Sequence, residues 1–228
     1  MRIGLLICFA LSISTIVVAQ DGNNTSDKEA AYTRTITTRS EKIVQGLHIP
    51  DSLKAKRVVT IITDQYRNLN TVYAERDEQL KLIKQRAESK DSANNDIKAV
   101  QDITDKKVAR LHASFLKQLS SELSPADVTK VKDGMTYNVL NVTYDAYVDM
   151  IPTLTKNQKD QIMAWLVEAR EYAMDGESSE KKHWWFGKYK GRINNYLSAQ
   201  GYDINKERKD WAERSKQKSE VKNTNEVH

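Results

Sequence analysis

The chain has 228 residues, of which 39% are hydrophobic and 29% are charged, and its formal net charge is +5. With eight glycines, three prolines and one cysteine, the composition excludes a collagen-like, a disordered or a disulfide-rich protein. The length is sufficient for one domain with a sizeable hydrophobic core, so composition alone leaves function open.

The first nineteen residues are predicted to be a signal peptide. Arg2 precedes an apolar run over residues 3–19, and small residues stand before the bond between Ala19 and Gln20, where we expect cleavage. The run is short for a membrane span, and polar residues follow it at once. Cleavage removes Cys8, so disulfides and thiolate metal sites are not expected. We therefore expect a periplasmic or secreted protein without a stable membrane span.

Two long amphipathic helices are predicted next. Apolar side chains recur in steps of three and four over residues 51–87, and again over residues 97–119 after a polar break at 88–96. Each predicted helix has a single apolar stripe to bury. The two should therefore pack against each other as an antiparallel hairpin.

Shorter helices are predicted in the second half, and polar caps mark where they begin. Thr155 can accept a hydrogen bond from the first turn of its helix, and Gln158 can complete a capping box. The Leu-Thr-x-x-Gln spacing that begins at Leu154 also resembles a pattern of periplasmic stress and chaperone proteins that form helical cradles.

The predicted fold class is all-α, with a long antiparallel helical hairpin and a cluster of shorter helices. We assign residues 1–19 to the signal peptide, 20–203 to a single helical domain and 204–228 to a polar, basic C-terminal helix or tail. Positive charge is concentrated near this end: residues 181–218 carry eleven Lys or Arg against four Asp or Glu, whereas residues 20–180 carry 23 against 25.

Residues 183–196, which we call the aromatic-basic segment, combine rings, cations and amides. Cations bind carboxylates, amides bind hydroxyl groups, and flat rings stack on the apolar side of a sugar. Trp184 and Trp185 point about 100° apart on a helix, so at least one of them should be exposed. The candidate ligand-binding residues are His183, Trp184, Lys188, Tyr189, Arg192, Asn195 and Tyr137.

Other interpretations of this segment remain open. Gly187 and Gly191 lie four residues apart, a spacing that favours close packing of a neighbouring helix, with the approach of a ligand as the alternative. The rings could belong to the core and the lysines to a solvated face. Nucleic acid would suit the same residue types, but export argues against it, whereas an anionic lipid surface remains an alternative.

Three stretches of the run over residues 123–203 carry a resemblance to a known family. They are Lys132-Asp133-Gly134-Met135-Thr136-Tyr137, Ala164-Trp165-Leu166-Val167-Glu168-Ala169-Arg170 and Trp185-Phe186-Gly187-Lys188-Tyr189-Lys190-Gly191-Arg192-Ile193-Asn194-Asn195-Tyr196-Leu197. Together they resemble an uncharacterised secreted family of Bacteroidota, a domain of unknown function. The resemblance implies a secreted, mainly helical protein whose genes often stand near those for polysaccharide breakdown, and it supplies no catalytic residues.

The sequence contains few of the motifs that would indicate an enzyme. The sequence has no His-Glu-x-x-His, Gly-x-Ser-x-Gly or phosphate-loop motif, and we predict neither a metal site nor a cofactor. A lyase acting on uronate polymers needs a cation and a base. The candidates for those roles are Arg192, His183, Tyr189 and Tyr137. A hydrolase needs two facing carboxylates, and no spacing singles out a pair among the candidates. Those candidates are Asp133, Asp145, Asp149 and Glu168.

The sequence thus favours a secreted helical protein of polysaccharide utilisation that contacts an acidic polysaccharide or oligosaccharide through the aromatic-basic segment. One alternative is a periplasmic chaperone or envelope-stress protein, which would need a broad apolar concavity on the long helices. A second alternative is a polysaccharide lyase or hydrolase. The sequence does not decide whether the protein is an enzyme, and it indicates no oligomeric state.

Overall fold

The computed structural model describes residues 21–86 and 90–225, which form helices and no strands. The helices of this part of the chain are α1 (Asp21–Gln45), α2 (Ser52–Arg86), α3 (Lys90–Glu122), α4 (Pro125–Met135), α5 (Val139–Met150), α6 (Lys156–Met174), α7 (Ser179–Ala199) and α8 (Ile204–Asn225). The predicted all-α class is confirmed. The predicted signal peptide lies outside the described residues. Within the described ranges, no helix is both long enough and apolar enough to cross a membrane.

The long helices α2 and α3 pack against each other in an antiparallel hairpin, as predicted. Arg57 pairs with Glu122 at 2.8 Å, and Lys107 pairs with Glu75 at 2.6 Å. The first pair joins the start of α2 to the end of α3, and the second joins a later residue of α2 to the middle of α3, so the two helices run antiparallel.

Two helical stretches were missed by the sequence reasoning. The polar break predicted over residues 88–96 is shorter than expected, because α3 already begins at Lys90. At the tip of a long hairpin both faces of a helix can meet solvent, so the loss of apolar periodicity does not end the helix. Residues 21–45 form α1, which buries Ile36 and Val44 in the core it shares with α2. Few apolar side chains suffice for that contact, and their period is hard to detect.

Buried apolar side chains form two clusters. One cluster is formed by side chains of α1, α2, α3 and α4 and contains Phe115. The other is formed mainly by side chains of α5, α6 and α7 and contains Phe186 and Ile193. Met174, at the end of α6, belongs to the first cluster and so connects the two. One face of α7 is thereby fixed against the core, and the opposite face is left to solvent.

Capping interactions fix where α6 and α7 begin. Thr155 and Gln158 form the predicted capping box at α6. The Ser178 side chain accepts a hydrogen bond from the backbone N–H of Lys181 at the start of α7. These caps fix the starts of two helices that pack antiparallel, and the second of them, α7, carries the whole aromatic-basic segment.

The C-terminal segment is helical over the residues of α8 and packs against α5. Trp211 Nε1 donates a hydrogen bond to Asp149 at 2.6 Å, and Arg214 donates one to the Met150 carbonyl at 2.9 Å. Ile204 is buried with the second apolar cluster. The first half of this polar helix is therefore anchored by a few specific contacts.

Candidate functional site

A groove runs between the antiparallel helices α6 and α7, with a volume of about 370 Å³. We call it the aromatic-basic groove. Its lining residues are Glu168, Tyr172, Trp185, Lys188, Tyr189 and Arg192. The α6 pair is spaced by four residues and the α7 residues by three, one and three, so each set lies on one face of its helix. The two faces meet because the helices pack side by side.

Aromatic rings line this groove and continue beyond it. Tyr172 stacks on Trp185 with ring centres 4.6 Å apart, and Trp184 meets the same ring edge-on at 5.0 Å. Further along, Trp165 and Tyr196 make an edge contact at 5.2 Å. Trp184 is 52% exposed and Tyr172 is 49% exposed. Two ring faces of the strip are therefore open to a ligand, and the expectation of an exposed tryptophan is confirmed.

Three cations of α7 lie over these rings, and the first is Lys181, whose Nζ is 5.4 Å from the Trp184 ring centre. Lys188 Nζ is 5.0 Å from the Trp185 ring centre, and the Arg192 guanidinium is 4.6 Å from that of Trp165. Such contacts are favourable because the ring face carries negative charge density. Arg192 Nη1 also lies 3.5 Å from Glu168 Oε2, and both side chains are about half exposed. Among the described residues, Lys188 pairs with no carboxylate.

Tyr189 lies beneath the groove and is 5% exposed. Burial, and then a hydrogen bond to Glu168, raise the pKa of its phenol. A general base must be deprotonated near the working pH so that it can accept a proton from the substrate. A phenol whose pKa is raised stays protonated there. Tyr189 therefore fits a positioning role for Glu168 better than the base of a lyase.

The predicted ligand-binding residues do not form one site. Those in or beside the groove are Trp184, Lys188, Tyr189 and Arg192. His183 lies nine residues before Arg192, which places the two on opposite sides of α7. His183 instead stacks on Tyr137, with ring centres 5.8 Å apart. Asn195 is exposed and lines neither the groove nor any other concavity reported below. The lyase combination of Arg192 with His183 or Tyr137 is therefore not assembled.

The expected packing of a helix on Gly187 and Gly191 is wrong. A Cβ atom placed on either glycine would meet no atom within 4 Å, and both residues are exposed. The α6 helix and the core take the other side of α7, where Phe186 and Ile193 lie, because that side carries the apolar stripe. The glycines leave an open, flat surface on the outer side of α7.

A larger concavity, which we call the basic pocket, lies between α1 and α4 and has a volume of about 1070 Å³. Its charged and amide residues are Arg34, Arg39, Lys42, Lys130, Asp133, Asn138 and Asn141. Sequence reasoning missed this pocket because three separate segments build it and α1 was not recognised. The spacing of Arg34, Thr38 and Lys42 by four residues was the available signal, since it places these residues on one helical face.

His112 lies in a charged network that joins α3 to α6. Its Nδ1 is 2.6 Å from Asp175 Oδ2, and its Nε2 is 3.6 Å from Glu171 Oε2. The hydrogen bond with Asp175 raises the pKa of His112, an effect that its partial burial opposes. Lys132 of α4 binds the same Glu171 at 2.7 Å. With a carboxylate at each ring nitrogen, His112 acts as a clamp between helices.

Two carboxylates considered for a hydrolase are held by hydrogen-bond donors. Asp133 accepts a hydrogen bond from Arg170 at 2.8 Å, and both side chains are largely buried. Asp149 accepts the hydrogen bond of Trp211 described above. Among the described residues, no group of three or more His, Cys, Asp or Glu side chains is placed to hold a metal ion.

The residues that line both concavities lie within the part of the chain that matches a known family. The family model described as "Protein of unknown function (DUF3826)" matches residues 33–217. The match extends beyond the run over residues 123–203 at both ends and includes the second half of α1 and the larger part of α8. None of the curated proteins matches the chain.

Proposed function

The chain belongs to the family of proteins of unknown function whose model it matches, and we propose that it is a secreted protein of polysaccharide utilisation that binds an anionic glycan in the aromatic-basic groove. One observation carries the proposal: Lys188 and Arg192 lie over indole rings along a single solvent-accessible groove. Cations and flat rings side by side match a sugar that has both a carboxylate and an apolar ring face.

Lys188 is the main carboxylate-binding group in this proposal. Its ammonium group lies between the Trp184 and Trp185 rings, 5.6 and 5.0 Å from their centres, and it has no carboxylate partner among the described residues. A ligand carboxylate would thus gain a charge-assisted hydrogen bond, worth about 1.5–3 kcal/mol. The exposed rings of Trp184 and Tyr172 are available for stacking on a neighbouring sugar.

Glu168 makes the groove selective for more than charge. It lies 3.5 Å from the Arg192 guanidinium, and both groups stay half exposed, so this ion pair is weak. A ligand carboxylate can share the guanidinium, which has five N–H donors. The Glu168 oxygens remain acceptors for sugar hydroxyl groups, which a simple anion does not provide.

Two features support binding by the groove over a chaperone cradle. The large exposed apolar residues in the described parts of the long helices are Leu53, Leu82 and Ile103, of which Leu53 lies at the start of α2 and the other two lie near the opposite end of the hairpin. One concavity on α2 is lined mostly by charged and polar residues, Asp77 and Lys81 among them, and a larger one, of about 650 Å³ between the end of α1 and the start of α2, alternates apolar residues such as Val59 with polar ones such as Lys56. Neither feature offers the continuous apolar surface that an unfolded client would require.

Tryptophan fluorescence provides a direct test, since Trp165, Trp184 and Trp185 surround the groove. Purified mature protein is titrated with a galacturonate hexasaccharide and, separately, with its methyl ester, which lacks the negative charge. The free acid should change the fluorescence saturably and the ester should not. Lys188→Gln should weaken binding at least about tenfold, as expected for one charge-assisted hydrogen bond.

Lys190→Gln is the matched control, because Lys190 is an exposed lysine two residues away that lines no part of the groove. Its binding curve should equal that of the wild type. Equal weakening by both substitutions would show a diffuse charge effect and overturn the proposal, as would equal binding of acid and ester. New ultraviolet absorbance from unsaturated uronate ends would make the protein a lyase and contradict simple binding.

A further inference from the structure

The basic pocket contains more positive charge than the groove, and less of it is compensated. Arg34, Arg39 and Lys42 reach the pocket from α1, and Lys130 reaches it from α4. Asp133 is the acidic residue among the pocket's lining residues. Because the pocket faces solvent, these cations produce a local positive potential that attracts anions from solution.

Most of these cations have no partner to neutralise them. Among the described residues, Arg34, Arg39 and Lys42 make no ion pair or side-chain hydrogen bond. Arg39 lies 5.9 Å from the Tyr66 ring centre, a contact that leaves its N–H groups free. Asp133 adds no free negative charge, since it accepts a hydrogen bond from the buried Arg170. The pocket therefore has unused donors for at least two anionic groups.

An unusual backbone turn forms one edge of the pocket. Tyr137 and Asn138 have φ angles of 56° and 58°, a left-handed region that asparagine tolerates and that a residue such as tyrosine rarely adopts. The turn presents Tyr137, backed by the His183 ring, and it brings the amides of Asn138 and Asn141 together. Backbone strain of this kind costs about 1–3 kcal/mol and is concentrated at ligand sites. The strain fits a pocket edge shaped for recognition.

We propose that the basic pocket is a second binding site and that it takes an acidic oligosaccharide, bound through at least two separated anionic groups. This site is independent of the groove, since His183 and Arg192 face opposite sides of α7. The proposal also gives a role to Tyr137 and His183, which the sequence marked as ligand-binding and which the groove does not include.

The spacing of the donors defines the ligand. Arg34 and Lys42 are eight residues apart on α1, which corresponds to about 12 Å along the helix. A volume of about 1070 Å³ is much larger than a single inorganic ion needs. Thr35 and Thr38 offer hydroxyl groups, and Asn138 and Asn141 offer amides, between the charges. These groups match a hydroxylated chain with a charge at intervals, and they match an acidic peptide less well.

Calorimetric titration of the full mature protein with a heparin tetrasaccharide tests the site. The pocket variant is Arg34→Gln with Lys42→Gln, and the control is Lys106→Gln with Arg110→Gln, which removes the same charges from an exposed face of α3. The pocket variant should bind at least about tenfold more weakly, and the control should bind less than about twofold more weakly. Circular dichroism of both variants checks that they are folded.

Further titrations separate this site from the groove and from other ligands. Lys188→Gln should leave the tetrasaccharide affinity unchanged if the pocket is an independent site, even if the groove proposal fails. Equal loss in the pocket variant and the α3 control would overturn the site. Binding of an octaglutamate peptide as tight as that of the tetrasaccharide would overturn the ligand class. Sodium sulfate at matched charge concentration should not compete.

Discussion

The aromatic-basic groove and the basic pocket both present positive charge to solvent, but their cations differ in whether they have partners within the protein. In the groove, Arg192 is held by a ring on one side and by Glu168 on the other. In the pocket, the charged groups of Arg34 and Lys42 have no partner among the described residues. Placed cations favour a ligand of fixed geometry, whereas free cations favour a ligand of high charge.

The two regions also differ in how deeply their acidic residues are buried. The acid of the groove, Glu168, is half exposed, whereas the acid of the pocket, Asp133, belongs to a buried pair with Arg170. Solvent screens the first pair and hardly screens the second. Charge in the groove therefore acts mainly on ligand binding, and charge at the floor of the pocket also acts on folding.

Replacing each acid in turn should give the largest contrast. Asp133→Ala leaves the Arg170 guanidinium, whose side chain is 8% exposed, without its main partner, and its Nε already has none among the described residues. We expect a loss of about 3 kcal/mol in the free energy of unfolding. Glu168→Ala removes an exposed ion pair and the hydrogen bond from the Tyr189 phenol, and it should cost about 1 kcal/mol. Urea unfolding of both variants measures the difference, and equal losses would contradict the contrast.

How much the sequence could predict also differs between the two regions. The groove residues of α7 lie within one segment, so the sequence singled out Lys188 and Arg192, but it grouped them with His183, which lies on the opposite side of the helix. The pocket needs α1, and the apolar side chains that fix α1, such as Ile36, are too sparse for a clear period. Tyr137 was selected for its chemistry, but its partner His183 became visible only through tertiary packing. Local pattern predicts helices and faces, and it does not predict which separated faces meet.

Lys182 connects the two regions, since it lies on the groove helix α7 and binds the end of α4. Titration of its amine should therefore change the free energy of unfolding. Its ammonium group donates to the carbonyls of Met135 and Met174 at 3.2 and 3.0 Å. Burial lowers the pKa of Lys182 to about 8, against 10.5 for a free lysine. Between these values the unfolded chain binds more protons, so stability should rise with pH. The gain from pH 7 to about 9.5 should be about 2 kcal/mol.

Lys182→Met is the reference for this effect. The variant has no amine to titrate, so its unfolding free energy should lack the rise that the wild type shows between neutral pH and about 9.5. Urea midpoints measured at several pH values give both curves. A wild-type curve parallel to that of the variant would show that the amine is already solvated and does not connect the two regions.

The smallest expected effects come from one glycine at the basic pocket and one on the groove helix α7, and they should have opposite signs. A Cβ on Gly134, at the basic pocket, would lie 2.9 Å from Ile43 Cγ1, so Gly134→Ala should destabilise by about 1 kcal/mol. A Cβ on Gly187, on the outer side of α7, meets nothing within 4 Å, so Gly187→Ala should stabilise by about 0.5–1 kcal/mol. Thermal unfolding resolves both shifts. Adding Ile43→Ala to Gly134→Ala should relieve the clash, so a double variant that loses the sum of both single losses would show that α1 and α4 do not approach closely here.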